Sequence, residues 1–101
     1  GAGERDDVVI GILKVRMRIM GAMSLKEKRK TLKSLKDRMK NMNISIAEVD
    51  DQDLWQASTL GLAAVSNEAA HINALLDKVM YSINAHGDVE ILDSHIEIMH
   101  V

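Results

Sequence analysis

The sequence predicts an α+β domain of the ferredoxin-like class, in which a four-stranded antiparallel sheet carries two helices on one face. Two observations predict this fold. Strand-like and helix-like segments follow one another in the order β-α-β-β-α-β, and 101 residues suit a single domain. Apolar residues make up 47% of the chain, which is enough for one hydrophobic core. No apolar run approaches the roughly 18 residues of a membrane-spanning helix.

The first half of the chain predicts one strand and one helix. Apolar and basic side chains alternate late in residues 8–20, which is typical of a half-buried strand, and Gly21 ends it. Ser24 and Glu27 then form an S-x-x-E capping box, which opens a helix. Leucine and methionine recur at helical spacing as far as Met42, so we expect the helix to end there.

The next two strands are predicted as a hairpin. Residues 44–49 form a short run rich in β-formers, and residues 54–65 form a second one. The intervening segment 50–53 is polar and turn-forming. We therefore expect a tight connection between the two strands.

A second helix and a last strand complete the pattern. Ser66 and Asn67 offer an N-cap, and apolar residues at helical spacing occupy residues 69–83. Gly87 is placed to end this helix in the left-handed conformation. Residues 89–99 then predict the final strand.

The domain is expected to span residues 8–101. Residues 1–7 show no apolar periodicity and do not begin with methionine, so we interpret them as a cloning remnant and a disordered tail. The chain has no cysteine, which excludes disulfide frameworks, cysteine-ligated zinc and thiol catalysis.

The near-zero net charge of −2 conceals a strong polarisation. Residues 8–40 hold eleven lysines and arginines but two acids, whereas residues 41–101 hold one lysine and ten acids. The domain is therefore neutral overall, with a basic half and an acidic half. Such asymmetry indicates electrostatic partners and says nothing about fold.

Much of the positive charge falls on the first helix. On a wheel of 3.6 residues per turn, six cations share one stripe beside the apolar face: Lys26, Arg29, Lys30, Lys33, Lys36 and Lys40. Three like-charged pairs at i,i+4 cost ~0.2–0.5 kcal/mol each, and cations near the helix start oppose its dipole. The stripe therefore predicts contact with an anionic partner; the alternative is a solvated basic face.

Lys28 is the one cation of this helix that falls inside the apolar arc. We expect its stem to lie over the sheet edge with the ammonium group in water; the alternative is a directed contact with a phosphate or a carboxylate. The turn at residues 21–24 could also hold a phosphate at the helix start, together with Lys26, Lys28 and Arg29. The spacing of a P-loop is absent, so a nucleotide site is the weaker interpretation.

Structured RNA is the favoured anionic partner. Lys14, Arg16 and Arg18 predict a second basic patch on the open sheet face. The chain has no phenylalanine, one tryptophan and one tyrosine, whereas RRM-type sheets stack bases on aromatic side chains. A KH-type G-x-x-G loop is also missing. RNA would therefore be held by shape and by its phosphates, and the affinity would fall steeply with salt.

The second strand of the hairpin is apolar on both faces, although the two helices can cover one face alone. The open face is therefore predicted to be a homodimer interface. The residues assigned to it are Ile10, Ile12, Thr59, Gly61, Ala63 and Val65. A small exposed apolar patch is the alternative. The rival function is a homo-oligomeric interaction module that docks on acidic protein surfaces.

No group of residues predicts catalysis. The aspartates of segment 50–53 could bind a hard cation, but a solvated turn is favoured because no second carboxylate cluster is evident. The four histidines lack metal-ligand spacing, and nothing marks a nucleophile. We therefore expect a cytoplasmic, non-enzymatic binding domain without metal or cofactor. Trp55 is expected to plug a core edge or an interface, with ligand stacking as the alternative.

Five short segments occur here in combination. They are SLKEKR at 24–29, NISIAE at 43–48, QD at 52–53, WQ at 55–56 and LGL at 60–62. Together they resemble the YlxP-like family of small uncharacterised bacterial proteins, over about residues 8–99. The resemblance implies a ferredoxin-like domain and, from neighbouring genes for ribosome assembly and translation initiation, an RNA- or ribosome-related role. Met42 and Ala57 depart from the family pattern, and no site residues are carried over.

Overall fold

The computed structural model describes residues 7–101. The elements follow the predicted order: β1 (Val9–Ile19), α1 (Leu25–Arg38), β2 (Ser45–Asp50), β3 (Ala57–Ser66), α2 (Ala69–Asn84) and β4 (Val89–His100). The strands form one antiparallel sheet in the order β2-β3-β1-β4. This is the predicted α+β ferredoxin-like sandwich. Of the predicted tail, residues 1–6 lie outside the described residues.

Strand β1 lies at the centre of the sheet and sets its two faces. The odd-numbered residues from Val9 to Ile19 are buried against the helices, while the even-numbered residues lie on the open face. Helix α2 packs directly over Gly11, where a Cβ atom would collide with the Ile72 side chain. The alternation predicted from the sequence is confirmed.

Helix α1 begins at the predicted capping box. The Ser24 hydroxyl accepts a hydrogen bond from the Glu27 N–H at 3.1 Å, and the Glu27 carboxylate accepts one from the Met23 N–H at 2.7 Å. The helix ends at Arg38, four residues before the predicted end. The Met39 and Met42 N–H groups bond to carbonyls three residues back, and this tighter winding ends the α-helix before β2.

The β2–β3 connection is longer than the sequence predicts. Strand β3 begins at Ala57 rather than at Leu54, so residues 51–56 form a six-residue loop. The tight hairpin turn was therefore a wrong prediction. The loop is longer because the Lys28 ammonium group binds the carbonyl oxygens of Asp51, Gln52 and Ala57, which are therefore not all free to pair with a neighbouring strand.

The ends of α2 also differ from the prediction. The N-cap is Glu68, with no side-chain hydrogen bond, while the Ser66 hydroxyl accepts from the Glu68 N–H at 3.2 Å. Gly87 does not adopt a positive φ; among the described glycines, Gly21 does. The Nδ1 atom of buried His86 accepts a hydrogen bond from the Asp88 N–H at 3.1 Å, which stabilises the turn without a left-handed residue.

Candidate functional site

The six stripe cations of the sequence prediction, hereafter the α1 stripe, all lie exposed on the helix and the turn that follows it. The opposite side of α1 is anchored in the core by Leu32 and Leu35, which are 5% and 0% exposed. The amphipathic pattern therefore holds the α1 stripe toward solvent. Its members are Lys26, Arg29, Lys30, Lys33, Lys36 and Lys40.

The α1 stripe carries uncompensated charge. Within residues 7–101, no hydrogen bond or ion pair engages any of its six side-chain cations. The acids on α1 do not change this, since Glu27 is engaged at the N-cap and Asp37 is an exposed neighbour of Lys36 with no ion pair in that range. The arrangement is six free cations along about 21 Å of a 14-residue helix and the following turn.

The second basic patch predicted on the open sheet face is neutralised at two of its three cations. Arg16 Nε lies 3.3 Å from Asp51 Oδ2, and Arg18 Nη1 lies 3.2 Å from Glu90 Oε1. Lys14 lies beside His95 of β4 in the sheet register. Carboxylates from the β2–β3 loop and from β4 therefore pair with Arg16 and Arg18, whereas Lys14 has no ion pair within residues 7–101. A cavity of about 420 Å³ lies here, lined by Lys14, Arg16, Asp50, Asp51, Thr59, Asp93, Ser94 and His95.

Asp51 is the residue that organises this cavity. Its carboxylate accepts hydrogen bonds from the Thr59 hydroxyl at 2.7 Å and from Arg16 Nε at 3.3 Å. The Thr59 hydrogen bond, followed by the Arg16 guanidinium, holds the pKa of Asp51 below its ordinary value. Asp51 also adopts a φ of 62°, a left-handed conformation that aspartate tolerates better than most residues. Among the described residues, no group of three metal-ligating side chains surrounds it.

Lys28 is buried and serves the fold rather than an external anion. Its side chain is 1% exposed, and Nζ donates to Glu48 Oε2 at 2.8 Å. It also lies 2.9, 3.2 and 3.1 Å from the carbonyl oxygens of Asp51, Gln52 and Ala57. An ammonium group has three protons, so these four acceptors use its donor capacity fully. The expectation that the ammonium reaches water was wrong; the carboxylate alternative is the observed one, and Lys28 leaves the list of anion-binding candidates.

The six residues predicted to form a homodimer interface lie on the open face, but they differ in how far they are exposed. Ile10 lies between Val65 and Met99 in the sheet register, and Val65 is 60% exposed. Ile12 lies beside Ala63 in the next row. The remaining two assignments need correction. Thr59 is 3% exposed because Asp51 binds its hydroxyl, and Gly61 is partly covered because the Val49 side chain packs over it.

Trp55 lies in the β2–β3 loop and is half-exposed, so it does not plug a core edge; its burial in an interface stays a prediction. It lines a shallow groove of about 570 Å³ together with Met23, Asp53, Leu54, Gln56 and Ala57. We call this surface the Trp55 groove. Sequence reasoning placed residues 54–57 in a strand, because the loop conformation depends on the distant Lys28.

Residues 10–96 match the family described as "Protein of unknown function (DUF503)". The chain belongs to this family. The "Uncharacterized protein YlxP" of Bacillus subtilis (strain 168) is 37% identical over 83 residues, covering 81% of this chain and 90% of that protein. The YlxP-like resemblance predicted from the short segments is thus confirmed.

A solved structure is also similar to the chain. The "De novo designed protein Foldit4" gives a TM-score of 0.48 at 11% identity, covering 95% of this chain and 97% of that one. Separately, no helix in residues 7–101 is both long enough and apolar enough to cross a membrane.

Proposed function

We propose that this member of the DUF503 family is a non-enzymatic binding domain that contacts structured RNA through the α1 stripe. The observation that carries the proposal is the contrast between two sets of cations. Arg16 and Arg18 on the sheet face are paired with carboxylates. The six cations of the α1 stripe have no such partner within residues 7–101, so they bind phosphates without first breaking an internal ion pair.

The shape of the α1 stripe also suits a nucleic-acid backbone. A helix of 14 residues is about 21 Å long, so its cations reach several phosphates in succession. RNA helices are recognised mostly by shape and by contacts to phosphates and 2′-hydroxyl groups. Neutralising phosphates releases bound counterions, which supplies much of the binding free energy.

The resemblance to the YlxP-like family implies an RNA- or ribosome-related role, which supports the proposed function. The protein would then bind an RNA or a ribonucleoprotein in the cytoplasm. The proposal assigns no catalytic residue and no cofactor.

Charge reversal within the α1 stripe tests the proposal. Lys33→Glu is compared with Lys78→Glu, in which the lysine is also exposed but lies on α2, outside the stripe. Binding to a labelled RNA hairpin is measured by fluorescence anisotropy at low salt. We expect the stripe variant to lose at least tenfold in affinity and the control to change little. Equal losses in both variants would refute a role for the stripe.

A homodimer is the second candidate, and the open sheet face favours it. Ile10, Val65 and Met99 share one row of this face, and Val65 and Met99 are 60% and 36% exposed. Apolar rows on an uncovered sheet are typical of an isologous interface. The basic half of the chain would then be free to dock on an acidic protein surface, including the acidic half of the partner copy.

Sedimentation velocity tests the dimer. Val65→Lys places a charge at the exposed end of the row that Val65 shares with Ile10 and Met99. Met20→Lys places one on an exposed side chain outside that row, 45% exposed. We expect the wild type and Met20→Lys to sediment as dimers and Val65→Lys as a monomer. A wild type that remains monomeric at high concentration rules the interface out.

A further inference from the structure

The Trp55 groove is an exposed surface that contains no residue of the α1 stripe and has no role in the proposed function. Large apolar side chains are concentrated there, since Met23, Leu54 and Trp55 are 65%, 48% and 50% exposed. Surface apolar residues scattered singly need no explanation, but a contiguous patch marks a contact site. Trp55 is also the one tryptophan of the chain, and tryptophan is enriched among residues that dominate binding energy.

The loop that presents Trp55 is held in place from three directions. The Lys28 ammonium group binds the carbonyl oxygens of Gln52 and Ala57, which flank Trp55 on either side. Gln56 Nε2 donates to the Ala22 carbonyl at 2.9 Å, and the Gln56 carbonyl accepts from the Ile19 N–H at 2.9 Å. The indole is therefore presented by a prearranged loop, which lowers the entropy cost of using it in binding.

The Trp55 groove also lies next to the beginning of α1. Met23, which lines the groove, immediately precedes the N-cap of α1. Met23 stands three residues before Lys26 in the chain, so the groove adjoins the N-terminal end of the α1 stripe.

The chemistry of the groove fits a base rather than a phosphate. Its walls are apolar, and its one ionised side chain is the carboxylate of Asp53, which would repel a phosphate. Within residues 7–101, Asp53 has no hydrogen bond or ion pair. A carboxylate of this kind accepts hydrogen bonds from the amino group of a base such as cytosine, while the indole offers a face for stacking.

We infer that Trp55 stacks on an unpaired base of the RNA whose phosphates contact the α1 stripe, with Asp53 accepting from the amino group of that base. This inference rests on the proposed function and specifies its ligand. The RNA would be a helix with a bulged or looped-out nucleotide. The duplex lies along α1, and the unpaired base enters the Trp55 groove.

Two RNA hairpins test the inference. One has a fully paired stem, and the other has the same stem with a single bulged cytosine. Affinities are measured by anisotropy, and the intrinsic fluorescence of the single tryptophan reports directly on Trp55. We expect the bulged hairpin to bind the wild type about tenfold more tightly, in line with the stacking energies of single bases, and to quench the fluorescence at saturation.

Three variants separate stacking from a structural role. Trp55→Leu should remove the preference for the bulged hairpin while leaving affinity for the paired hairpin unchanged, and Trp55→Tyr should restore part of the preference. Tyr81→Leu is the matched control, because Tyr81 is the other aromatic residue, 76% exposed on α2. Asp53→Asn should lower the preference for a bulged cytosine over a bulged uracil.

The outcomes distinguish this inference from the proposed function. If both hairpins bind wild type equally, or if Trp55→Leu leaves the preference unchanged, base stacking at Trp55 is overturned even though the α1 stripe binds RNA. Such a result would assign the groove to a protein contact. If neither hairpin binds at all, the proposed function fails together with the inference.

Discussion

Lys28 Nζ lies 2.8 Å from Glu48 Oε2, and this ion pair joins the first helix to the edge strand of the sheet. The Glu48 carboxylate also accepts a hydrogen bond from the buried Ser58 hydroxyl at 2.8 Å. Since Lys28 also binds the carbonyl oxygens of Asp51, Gln52 and Ala57, one buried ammonium group sets the relation between α1, β2 and the β2–β3 loop. The position of the Trp55 groove depends on it.

Lys28→Met is expected to destabilise the fold by about 3 kcal/mol, because it leaves Glu48 and three carbonyl groups without their partner. Urea unfolding at neutral pH measures the change. Lys26→Met is the control, since Lys26 is exposed two residues away and should change stability by less than about 0.5 kcal/mol. A loss below about 1 kcal/mol in Lys28→Met would contradict the organising role of the ammonium group.

The contrast between α1 and the β2–β3 loop explains what the sequence could predict. The alternation in β1 and the capping box at Ser24 depend on neighbours close in the chain, and both were predicted correctly. The loop depends on contacts between Lys28 and residues 20 to 29 positions away. No local periodicity encodes such contacts, so the segment that contains Leu54 and Trp55 was assigned to a strand.

In the candidate site, too, features set by local spacing were predicted and features set by distant contacts were not. Membership of the α1 stripe follows from helical spacing alone, and its exposure was predicted correctly. The pairing of Arg16 with Asp51 was not, because it requires the end of β2 to meet the open face of β1. The sequence did contain one clue. Lys28 falls within the apolar arc of its helix, and a lysine in that position indicates a buried acceptor for its ammonium group.

The α1 stripe is expected to cost stability. Lys26 stands near the positive end of the helix dipole and one turn from Lys30, so Lys26→Glu should stabilise the protein by about 0.5–1 kcal/mol at low salt. The gain should shrink as salt is raised, since both effects are screened. Urea unfolding at two salt concentrations measures it, with Lys78→Glu on α2 for comparison. A destabilised Lys26→Glu variant would mean that the lysine has a structural role.

Gly11 is expected to resist substitution because α2 packs directly over it. Gly11→Ala should destabilise the protein by about 1–3 kcal/mol, since the added methyl group would collide with Ile72. The double variant Gly11→Ala/Ile72→Ala should lose less stability than the sum of the two single changes, because removing the Ile72 branch makes room. Thermal unfolding of the three variants measures this coupling, and strict additivity would show that the contact is not a close one.

Asp51 gives the stability of the protein a dependence on acidic pH. The Thr59 hydroxyl and then Arg16 lower its pKa, so the stabilisation is fully present above the ordinary aspartate pKa of about 3.9. It is lost as pH falls through the lower pKa of the folded state. Asp51→Asn should therefore flatten the decline in urea midpoint below about pH 4. Identical pH profiles for Asp51→Asn and wild type would contradict this.

The salt dependence of RNA binding tests the central claim most directly. Each phosphate contact made by a lysine adds nearly one unit to the slope of the logarithm of affinity against the logarithm of salt concentration. Measured between about 50 and 200 mM salt, Lys33→Ala/Lys36→Ala should therefore reduce the magnitude of this slope by about 2 relative to wild type. A slope unchanged by the double substitution would contradict RNA binding through the α1 stripe.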